Sequence, residues 1–296
     1  VLLREWPRGC RVATWITAGL GLTLVLGYYL VQSTPQWREQ LAAEKFYNAN
    51  FAGWNELAAA VREEQAKVPG MRLLADNFKS GAELGFALGN PDIPVLDHPL
   101  NHKHGRAPQL RLWGLQSDGS RDVPTLLVVG SSDVQYKSLL AYYHQLCEAL
   151  GPLPPPRVVN VDHGRQRFLL FALPAARAAG TCSTPAFAWI DTPSSGDDVG
   201  RQLQITGWAF KDGEGLSGVE VLLDGEVVAK ADYGQPSPGT EAFWKISNDP
   251  QHPNVGFSAS VDLGSATPGR HWLGLRLHGR DGSVEDWTEQ PIQIAE

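Results

Sequence analysis

Residues 12–31 read VATWITAGLGLTLVLGYYLV, and the placement of the rest of the chain follows from this stretch. It is twenty residues long and contains no charged side chain. An α-helix rises ~1.5 Å per residue, so the stretch is long enough to cross the ~30 Å hydrocarbon core of a bilayer. We therefore predict a transmembrane helix within residues 1–34, with a lipid bilayer as its partner.

The charges that flank this stretch predict its orientation. Arg4, Arg8 and Arg11 precede it, against the single acid Glu5. Cytoplasmic flanks carry an excess of Lys and Arg, so the N-terminal side is expected to be cytoplasmic. Residues from about Gln32 onward are then expected to lie on the outer side of the membrane.

A cleaved signal peptide is the alternative to a retained helix. Its apolar region would be shorter and would end in an A-x-A-like site, which Ser33-Thr34-Pro35 does not match. The chain begins with Val1 rather than Met. We expect that it was processed or, preferably, that it is the C-terminal piece of a longer protein.

The composition argues against nucleic-acid binding and favours turn-rich β structure. The formal net charge is −7, so the chain lacks the basic footprint of a nucleic-acid-binding protein. Charged residues make up only 19%, while there are 31 Gly and 21 Pro, which punctuate turns. The sequence has no G-x-S-x-G, P-loop or G-x-G-x-x-G motif, and we expect no cofactor.

Residues 35–180 are predicted to form a small α/β domain. A strand, a helix and a second strand follow one another within ~25 residues, which indicates a βαβ unit and a mainly parallel sheet. The predicted elements are helix 35–68, strand 71–75, helix 78–88, strand 93–96, strand 125–130, helix 134–150 and a hairpin of 157–161 with 167–173 across Asp162-His163-Gly164. The apolar positions of the first helix include Phe46, Phe51, Trp54, Leu57 and Val61.

Residues 181–296 lose the helical period and show short alternating runs every ten or so residues. Six or seven such strands predict an all-β sandwich of immunoglobulin-like type. Asp224-Gly225 is a two-residue hairpin signal. The large aromatics Trp208, Phe257, Trp272 and Trp287 are expected in or near its core, and STPAFAWIDTPSSG, residues 183–196, is expected to be a linker.

The most chemically dense segment is DHPLNHKHGRAPQLRLW, residues 97–113, which we predict to be a loop. It follows a strand at the edge where ligands bind in open α/β sheets. His98, His102 and His104 lie beside Asp97, but their spacing fits no standard zinc pattern, so they are only weak metal candidates and no metal is expected.

The same segment carries Lys103, Arg106 and Arg111. An Arg fork binds phosphate through two hydrogen bonds, so a phosphate or pyrophosphate near the membrane surface is one ligand that would suit them. A solvated basic loop is the alternative. The residues alone leave the two open.

Two further sets of residues have two interpretations each. Cys147 and Cys182 would lie in an oxidising compartment and form a disulfide, or they are two separate buried thiols. Asp76 precedes a helix and is predicted to be its N-cap, accepting from the amides of Phe78 and Lys79, with a catalytic role as the alternative.

Several segments resemble a known family. LLADNFKSGAELGFALG, HPLNHKHGRAPQLRLWG and TLLVVG follow one transmembrane helix and the helix that bears Trp54. This part, residues 12–173, resembles the C-terminal part of bacterial GT-C membrane glycosyltransferases. The group it resembles most is the dolichyl-phosphate-mannose-protein mannosyltransferase-like proteins, related to lipid A aminoarabinose transferase. The residues that carry the resemblance are Ala75-Asp76, Ala82-Glu83-Leu84, Asn101, Gly105-Arg106, Gln109 and Trp113.

The tail resembles a β-sandwich appended to some bacterial transferases, through ITGWAF, GVEVLLDG, ADYG, NVGFSASVDL and PGRHWLGLRL. The resemblance implies transfer of a sugar from a polyprenyl-phosphate carrier to an acceptor, at the outer face of the bacterial inner membrane. The catalytic acid of the family lies in the first outward loop, which this chain lacks. The fragment itself is therefore expected to be inactive and to need the upstream transmembrane part as its partner.

By position and charge, the residues expected to contact the carrier phosphate or the acceptor are Asn101, Lys103, Arg106, Gln109 and Arg111. The alternative function is a single-pass anchored periplasmic binding or scaffold protein, whose sandwich contacts a glycan or a protein. The upstream sequence separates the two: further apolar spans and an outward Asp-Glu pair favour the enzyme, and an initiator Met before Val1 favours the anchor.

Overall fold

The computed structural model describes residues 5–44, 47, 50 and 52–295. Arg4, Phe46 and Phe51, which the predictions above used, lie outside the described residues. The chain divides into two compact units, Val1–Ala52 and Gly53–Glu296, and each is described by itself.

The first unit contains α1 (Arg8–Ser33) and α2 (Pro35–Gln40). Helix α1 has 26 residues, none of them buried, and it includes all of the uncharged stretch 12–31. At ~1.5 Å per residue it is about 39 Å long. It is long and apolar enough to cross a membrane.

The predicted continuous helix over residues 35–68 is wrong in extent. Helix α2 ends at Gln40, and the next described helix, α3 (Trp54–Lys67), begins only after Gly53. Gly53 has a φ of +83°, a left-handed conformation that breaks a right-handed helix and that only glycine adopts without strain. A Cβ there would lie 2.6 Å from a methyl carbon of Val161, which also excludes a side chain.

The second unit contains α3 and five further described helices: α4 (Phe78–Leu88), α5 (Pro99–Lys103), α6 (Ala107–Leu112), α7 (Tyr136–Leu150) and α8 (Pro238–Phe243). Its first six strands are β1 (Arg72–Ala75), β2 (Val95–Leu96), β3 (Gln116–Ser117), β4 (Thr125–Gly130), β5 (Arg157–Val161) and β6 (Gln166–Leu173). The remaining strands are β7 (Phe187–Thr192), β8 (Asp198–Val199), β9 (Gln202–Phe210), β10 (Leu216–Leu223), β11 (Glu226–Lys230), β12 (Asp232–Gln235), β13 (Gly256–Asp262), β14 (Gly269–Gly279), β15 (Val284–Asp286) and β16 (Gln290–Ile294).

The first six strands form one mixed sheet in the order β3-β2-β1-β4-β6-β5. Strands β3, β2, β1 and β4 are parallel neighbours, while β6 and β5 pair antiparallel at the other side. All six residues of β4 are buried, as expected of an apolar run covered on both faces. The strand–helix–strand order of β1, α4 and β2 thus gives a parallel pair, as the sequence predicts.

The other ten strands form two sheets. One has the order β11-β10-β14-β16-β8, with β15 paired to β14, and the other has the order β12-β13-β9-β7. Asp224 and Gly225 both have positive φ and join β10 to β11 as a two-residue turn, so this predicted hairpin is confirmed. Of the predicted core aromatics, Phe257 and Trp287 are buried and Trp208 and Trp272 are half-buried.

The predicted linker over residues 183–196 is wrong in part. Its middle forms strand β7, which pairs antiparallel with β9. Phe187, Ala188 and Ile190 of this strand are buried. The proline and serine residues that flank the segment suggested a linker, but burial of its apolar centre outweighs them.

Helix α7 connects the mixed sheet to the two other sheets. Its buried side chains belong to one continuous apolar cluster that also contains Leu127 of β4 and Ile205 of β9. Tyr136 and Tyr143 of α7 lie 6.2 Å and 5.7 Å, centroid to centroid, from the ring of Phe187. One continuous hydrophobic core therefore joins one face of the mixed sheet, through α7, to the two other sheets.

The β5–β6 turn makes a second, polar connection. His163 has a φ of +62°, and its ring stacks on Trp272 at 3.5 Å between centroids with an interplanar angle of 4°. Its Nδ1 pairs with the carboxylate of Glu289, whose own backbone N–H donates to the carbonyl of His163 over 3.0 Å. At Gly164 a Cβ would lie 2.6 Å from Thr288, so glycine is required for this close approach.

Arg167 of β6 is buried beside this turn. Its guanidinium lies 4.7 Å from the ring centroid of Trp287, and Nη2 donates to the carbonyl of Asp286 over 3.3 Å. Asn160 of β5 donates to the same carbonyl over 3.1 Å. A cation desolvated against a tryptophan face gains from the ring quadrupole, which offsets part of its burial cost.

The structure joins Cys147, near the end of α7, to Cys182, before β7, in a disulfide with a Cα–Cα distance of 6.0 Å. Among the described residues, Cys10 is the free cysteine and is exposed.

Replacing both Cys147 and Cys182 by Ser should lower the free energy of unfolding by roughly 2–4 kcal/mol, because the bond restricts the unfolded chain. Urea denaturation of the detergent-solubilised chain, followed by tryptophan fluorescence, measures this difference. Cys10→Ser is the matched control and should leave the midpoint unchanged. Equal midpoints for the native protein and the double variant would contradict the disulfide.

Candidate functional site

The carboxyl ends of β1, β2 and β4 lie at one edge of the mixed sheet. The chain runs from β1 to β2 and β3 on one side and then returns to β4 on the other side of β1. Such a reversal of strand order leaves a crevice at the carboxyl ends, where open α/β sheets bind ligands. Two features lie in this region: a buried polar cluster around Asp76 and a groove between α4 and α6.

Asp76 is fully buried directly after β1. Its Oδ2 accepts hydrogen bonds from the backbone N–H of Gly130 over 3.2 Å and from the hydroxyl of Tyr142 over 3.1 Å. The N-cap of α4 is Asn77, whose Oδ1 accepts from the N–H groups of Lys79 and Ser80. The prediction that Asp76 caps this helix is therefore wrong, because the chain turns its carboxylate inward toward β4 and α7.

The surroundings of Asp76 disfavour its ionised form. Burial, with the negative charge of Asp133 as the second cause, raises the pKa of Asp76 from 3.8 to about 6. Asp133 itself forms an ion pair with Lys79, Nζ to Oδ1, at 2.7 Å. Burial and the Asp76 carboxylate raise the pKa of Tyr142 well above its usual value, so its hydroxyl remains a donor. As a fully buried group, the Asp76 carboxylate does not meet solvent in this structure.

The groove is mainly apolar and has a volume of about 640 Å³. The residues that line it from α4, the α4–β2 connection and α6 are Phe78, Gly81, Ala82, Pro91, Asp92, Ile93, Val95, Arg106, Gln109, Leu110, Trp113 and Leu115. At Gly81 a Cβ would lie 2.7 Å from a methyl carbon of Val95, so glycine lets α4 approach β2 closely. A cleft of this size with few polar groups suits part of an amphiphilic ligand.

The segment 97–113, predicted to be a loop, instead forms α5 and α6. Each helix has a proline in its first turn, a position where the missing N–H costs nothing. His98 caps α5, its Nδ1 accepting from the N–H of Leu100 over 3.0 Å. These local signals outweigh the polar composition that suggested a loop.

The structure brings two of the five predicted contact residues to the groove. Arg106 and Gln109 both line it, with Nη1 of Arg106 3.5 Å from Oε1 of Gln109. Lys103 and Arg111 are exposed and lie outside the lining. Asn101 is buried and holds backbone groups in place: its Oδ1 accepts from Phe78 N–H and its Nδ2 donates to the Leu96 carbonyl, each over 2.8 Å.

The side chains of the three candidate metal ligands, His98, His102 and His104, contact different residues. His98 is buried, and burial lowers its pKa, in keeping with a neutral ring whose Nδ1 accepts a hydrogen bond. His102 Nε2 lies 2.6 Å from Oδ1 of Asp97, while the ring of His104 lies 5.6 Å from that of Phe78. Among the described residues, no group of three His, Cys, Asp or Glu is placed to hold a metal ion.

A second cleft, which the sequence did not indicate, lies beside the disulfide and has a volume of about 980 Å³. His144 of α7 places Nε2 2.7 Å from Oδ2 of Asp212. Oδ1 of Asp212 accepts from the hydroxyl of Ser247 over 2.8 Å and from the N–H of Asn248. These residues come from three distant segments, so no local spacing could have identified them.

Because the pKa of Asp76 is raised in the folded chain, we predict that the free energy of unfolding falls as pH rises. Between pH 3.8, the ordinary value, and about 6, the folded chain holds this proton while the unfolded chain has lost it, so raising the pH through this window favours unfolding. Asp76→Asn should reduce the difference in unfolding free energy between pH 4 and pH 7.5 by roughly 2–3 kcal/mol, from a pKa shift of about two units. Chemical denaturation at both pH values measures it.

The matched control is Asp122→Asn, which removes an exposed carboxylate that pairs with Arg72 at the opposite end of β1. We expect this variant to keep the pH dependence of the native protein. If Asp76→Asn also kept it, the assignment of the elevated pKa to Asp76 would be wrong.

No family model and no curated protein matches the chain. Among solved structures, the chain is similar to the fibronectin(III)-like modules of CbhA from Clostridium thermocellum, at 16% identity over 36% of this chain and 94% of that chain, with a TM-score of 0.25. It is also similar to an endo-beta-1,4-mannanase from Thermotoga petrophila, at 9% identity over 82% of this chain and 44% of that chain, with a TM-score of 0.27. A third similarity is to the N-terminal four Ig domains of Dscam1 isoform 8.4, at 16% identity over 47% and 32% of the two chains, with a TM-score of 0.21. TM-scores this low establish neither a shared fold nor a shared activity.

Proposed function

We propose that this chain is the C-terminal helix and extracytoplasmic accessory part of a bacterial membrane glycosyltransferase. The whole enzyme would transfer a sugar from a polyprenyl-phosphate carrier to an acceptor. In this proposal α1 crosses the inner membrane with Arg8 and Arg11 on the cytoplasmic side, and the chain beyond Gln32 is periplasmic. Residues 35–180 are then the α/β domain, and residues 181–296 an immunoglobulin-like sandwich.

The observation that carries this proposal is the position of Arg106 and Gln109 on an apolar groove. A polyprenyl phosphate is an amphiphile, with an anionic head beside a hydrocarbon chain. The guanidinium of Arg106 suits the phosphate, because its fork of N–H groups matches phosphate oxygens. The apolar walls from Phe78, Ile93 and Trp113 suit the hydrocarbon next to it.

In this role the chain binds and orients the carrier and does not itself break the bond between the sugar and the carrier phosphate. The resemblance assigns the catalytic acid to an outward loop upstream of Val1. Arg106 would hold the phosphate, and Gln109, whose Oε1 lies 3.5 Å from Nη1 of Arg106, would limit the positions of the guanidinium. Holding a reacting group in one orientation lowers the entropic part of the barrier.

One observation favours the second function, an anchored binding or scaffold protein. The sandwich part exposes large aromatic side chains: Trp189 is 52% exposed and Phe243 is 59% exposed. Exposed aromatics are suited to glycan or protein contacts, since they offer large rigid surfaces. The DNA upstream of Val1 separates the two proposals. An open reading frame with many apolar spans supports the enzyme, and a start codon directly before Val1 supports the anchor.

Arg106→Ala in the intact enzyme should raise the KM for the polyprenyl-phosphate sugar at least about tenfold, because a charge-assisted hydrogen bond is worth ~1.5–3 kcal/mol. A radiolabelled sugar-transfer assay in proteoliposomes measures it. Arg106→Lys should recover part of the loss, since Lys retains the charge without the fork.

Arg72→Ala is the matched control, because Arg72 is an exposed arginine that pairs with Asp122 away from the groove. It should leave KM and kcat unchanged. If Arg106→Ala gave the same kinetic constants as the native enzyme, the assignment of the phosphate to Arg106 would be rejected.

A further inference from the structure

The two helices that supply groove residues, α4 and α6, also carry strongly exposed apolar side chains at their C-terminal ends. Phe86 is 89% exposed, Leu112 is 83% exposed and Trp113 is 60% exposed. Phe86 continues the stripe of Phe78 and Ala82 along α4, since residues four apart lie on the same side of a helix. Leu112 and Trp113 lie at the end of α6. Clusters of exposed apolar side chains of this kind mark surfaces that bind a partner or a membrane.

The same region is basic, although the chain as a whole has a net charge of −7. Lys103, Arg106 and Arg111 are exposed, and within the described part of the chain none of them has an ion-pair partner. Of the acids on these segments, Asp97 pairs with His102, Asp92 lies on the groove wall and Glu83 is half-buried on α4. The cations therefore outnumber the available carboxylates on this surface.

We propose that this surface, formed by Phe86, Lys103, Arg106, Arg111, Leu112 and Trp113 and here called the docking face, lies on an anionic lipid bilayer. The apolar side chains enter the boundary between headgroups and acyl chains, Lys103 and Arg111 contact phosphates of the bilayer lipids, and Arg106 lies between them with its guanidinium open to the groove. This combination of large apolar groups with Lys and Arg is the signature of interfacial membrane binding. The proposal requires α1 to cross the membrane, but it does not depend on transferase activity.

The short segment between α1 and the second unit favours a bilayer over a protein as the partner of the docking face. Nineteen residues, 34–52, separate the end of α1 from Gly53. Fully extended, this segment spans at most about 70 Å, at ~3.6 Å per residue. If α1 is in the membrane, the second unit is always within this distance of lipid, so the local concentration of bilayer surface is high. The aromatic ring of Trp113 also suits the headgroup level of a membrane.

Site-directed spin labelling of the full chain in nanodiscs tests the docking face. Cys10→Ser removes the free thiol, the disulfide is retained, and Leu112→Cys carries the label. Its accessibility to O₂, which partitions into lipid, is compared with that to a water-soluble nickel chelate. We expect the ratio of the two accessibilities to be severalfold higher at position 112 than at a control label in nanodiscs that contain phosphatidylglycerol.

The control label is Val227→Cys, an exposed apolar position on β11 that lies outside the docking face. The double substitution Lys103→Glu and Arg111→Glu should reduce the ratio at position 112 to that of the control, because like charges repel the anionic lipid. Chelate accessibility at 112 equal to that at 227 in the native background would overturn the proposal. Shielding of position 112 from both reagents would also overturn it, since that result indicates contact with protein.

Discussion

The packing of the second unit depends on the burial of α7 between the mixed sheet and the two sheets formed by β7–β16. Seven of the fifteen residues of α7 are buried, and among them Leu140 and Leu150 are fully buried. Tyr136 and Tyr143 reach the aromatic side chains of β7 and its neighbours, while the hydroxyl of Tyr142 reaches Asp76 on the opposite sheet. The mixed sheet packs on one side of α7 and the two other sheets pack on another. Separating either part from α7 would expose apolar side chains of the helix to water.

The disulfide and the β5–β6 turn reinforce this arrangement at two other points. Cys147 ties the end of α7 to the chain entering β7, and His163 stacks on Trp272. Arg167 lies buried between these parts, against Trp287. The mixed sheet and the two other sheets are therefore joined by three kinds of contact: apolar, covalent and polar. These contacts hold in place the mixed sheet, against which α4 and α6 pack.

At the carboxyl ends of β1, β2 and β4, a buried polar cluster lies on the inside and a mainly apolar groove lies on the outside. In the interior, Asp76 accepts hydrogen bonds from Tyr142 and from the end of β4, while the nearby Asp133 forms an ion pair with Lys79. The groove and its surroundings face outward, with Arg106 beside apolar walls and with Phe86 among the most exposed apolar side chains. The interior polar groups link the carboxyl ends of the parallel strands β1 and β4, and the outward surface is available to an amphiphile or to a bilayer. Asn101 lies between the polar interior and the groove. Its side chain accepts from the first residue of α4 and donates to the last residue of β2.

The sequence by itself determined the features that depend on local pattern. These are the uncharged helix, the strand that becomes β4, the strand–helix–strand order that pairs β1 with β2, and the Asp224-Gly225 hairpin. Each rests on the side-chain period or the φ preference of neighbouring residues. Only the tertiary structure decided that Asp76 turns inward while Asn77 caps α4, that β7 is a strand, that the predicted helix over residues 35–68 is divided into α2 and α3, and that Arg106 reaches the groove while Asn101 does not. In these cases several equally good local choices exist, and contacts with residues far away in the sequence select among them.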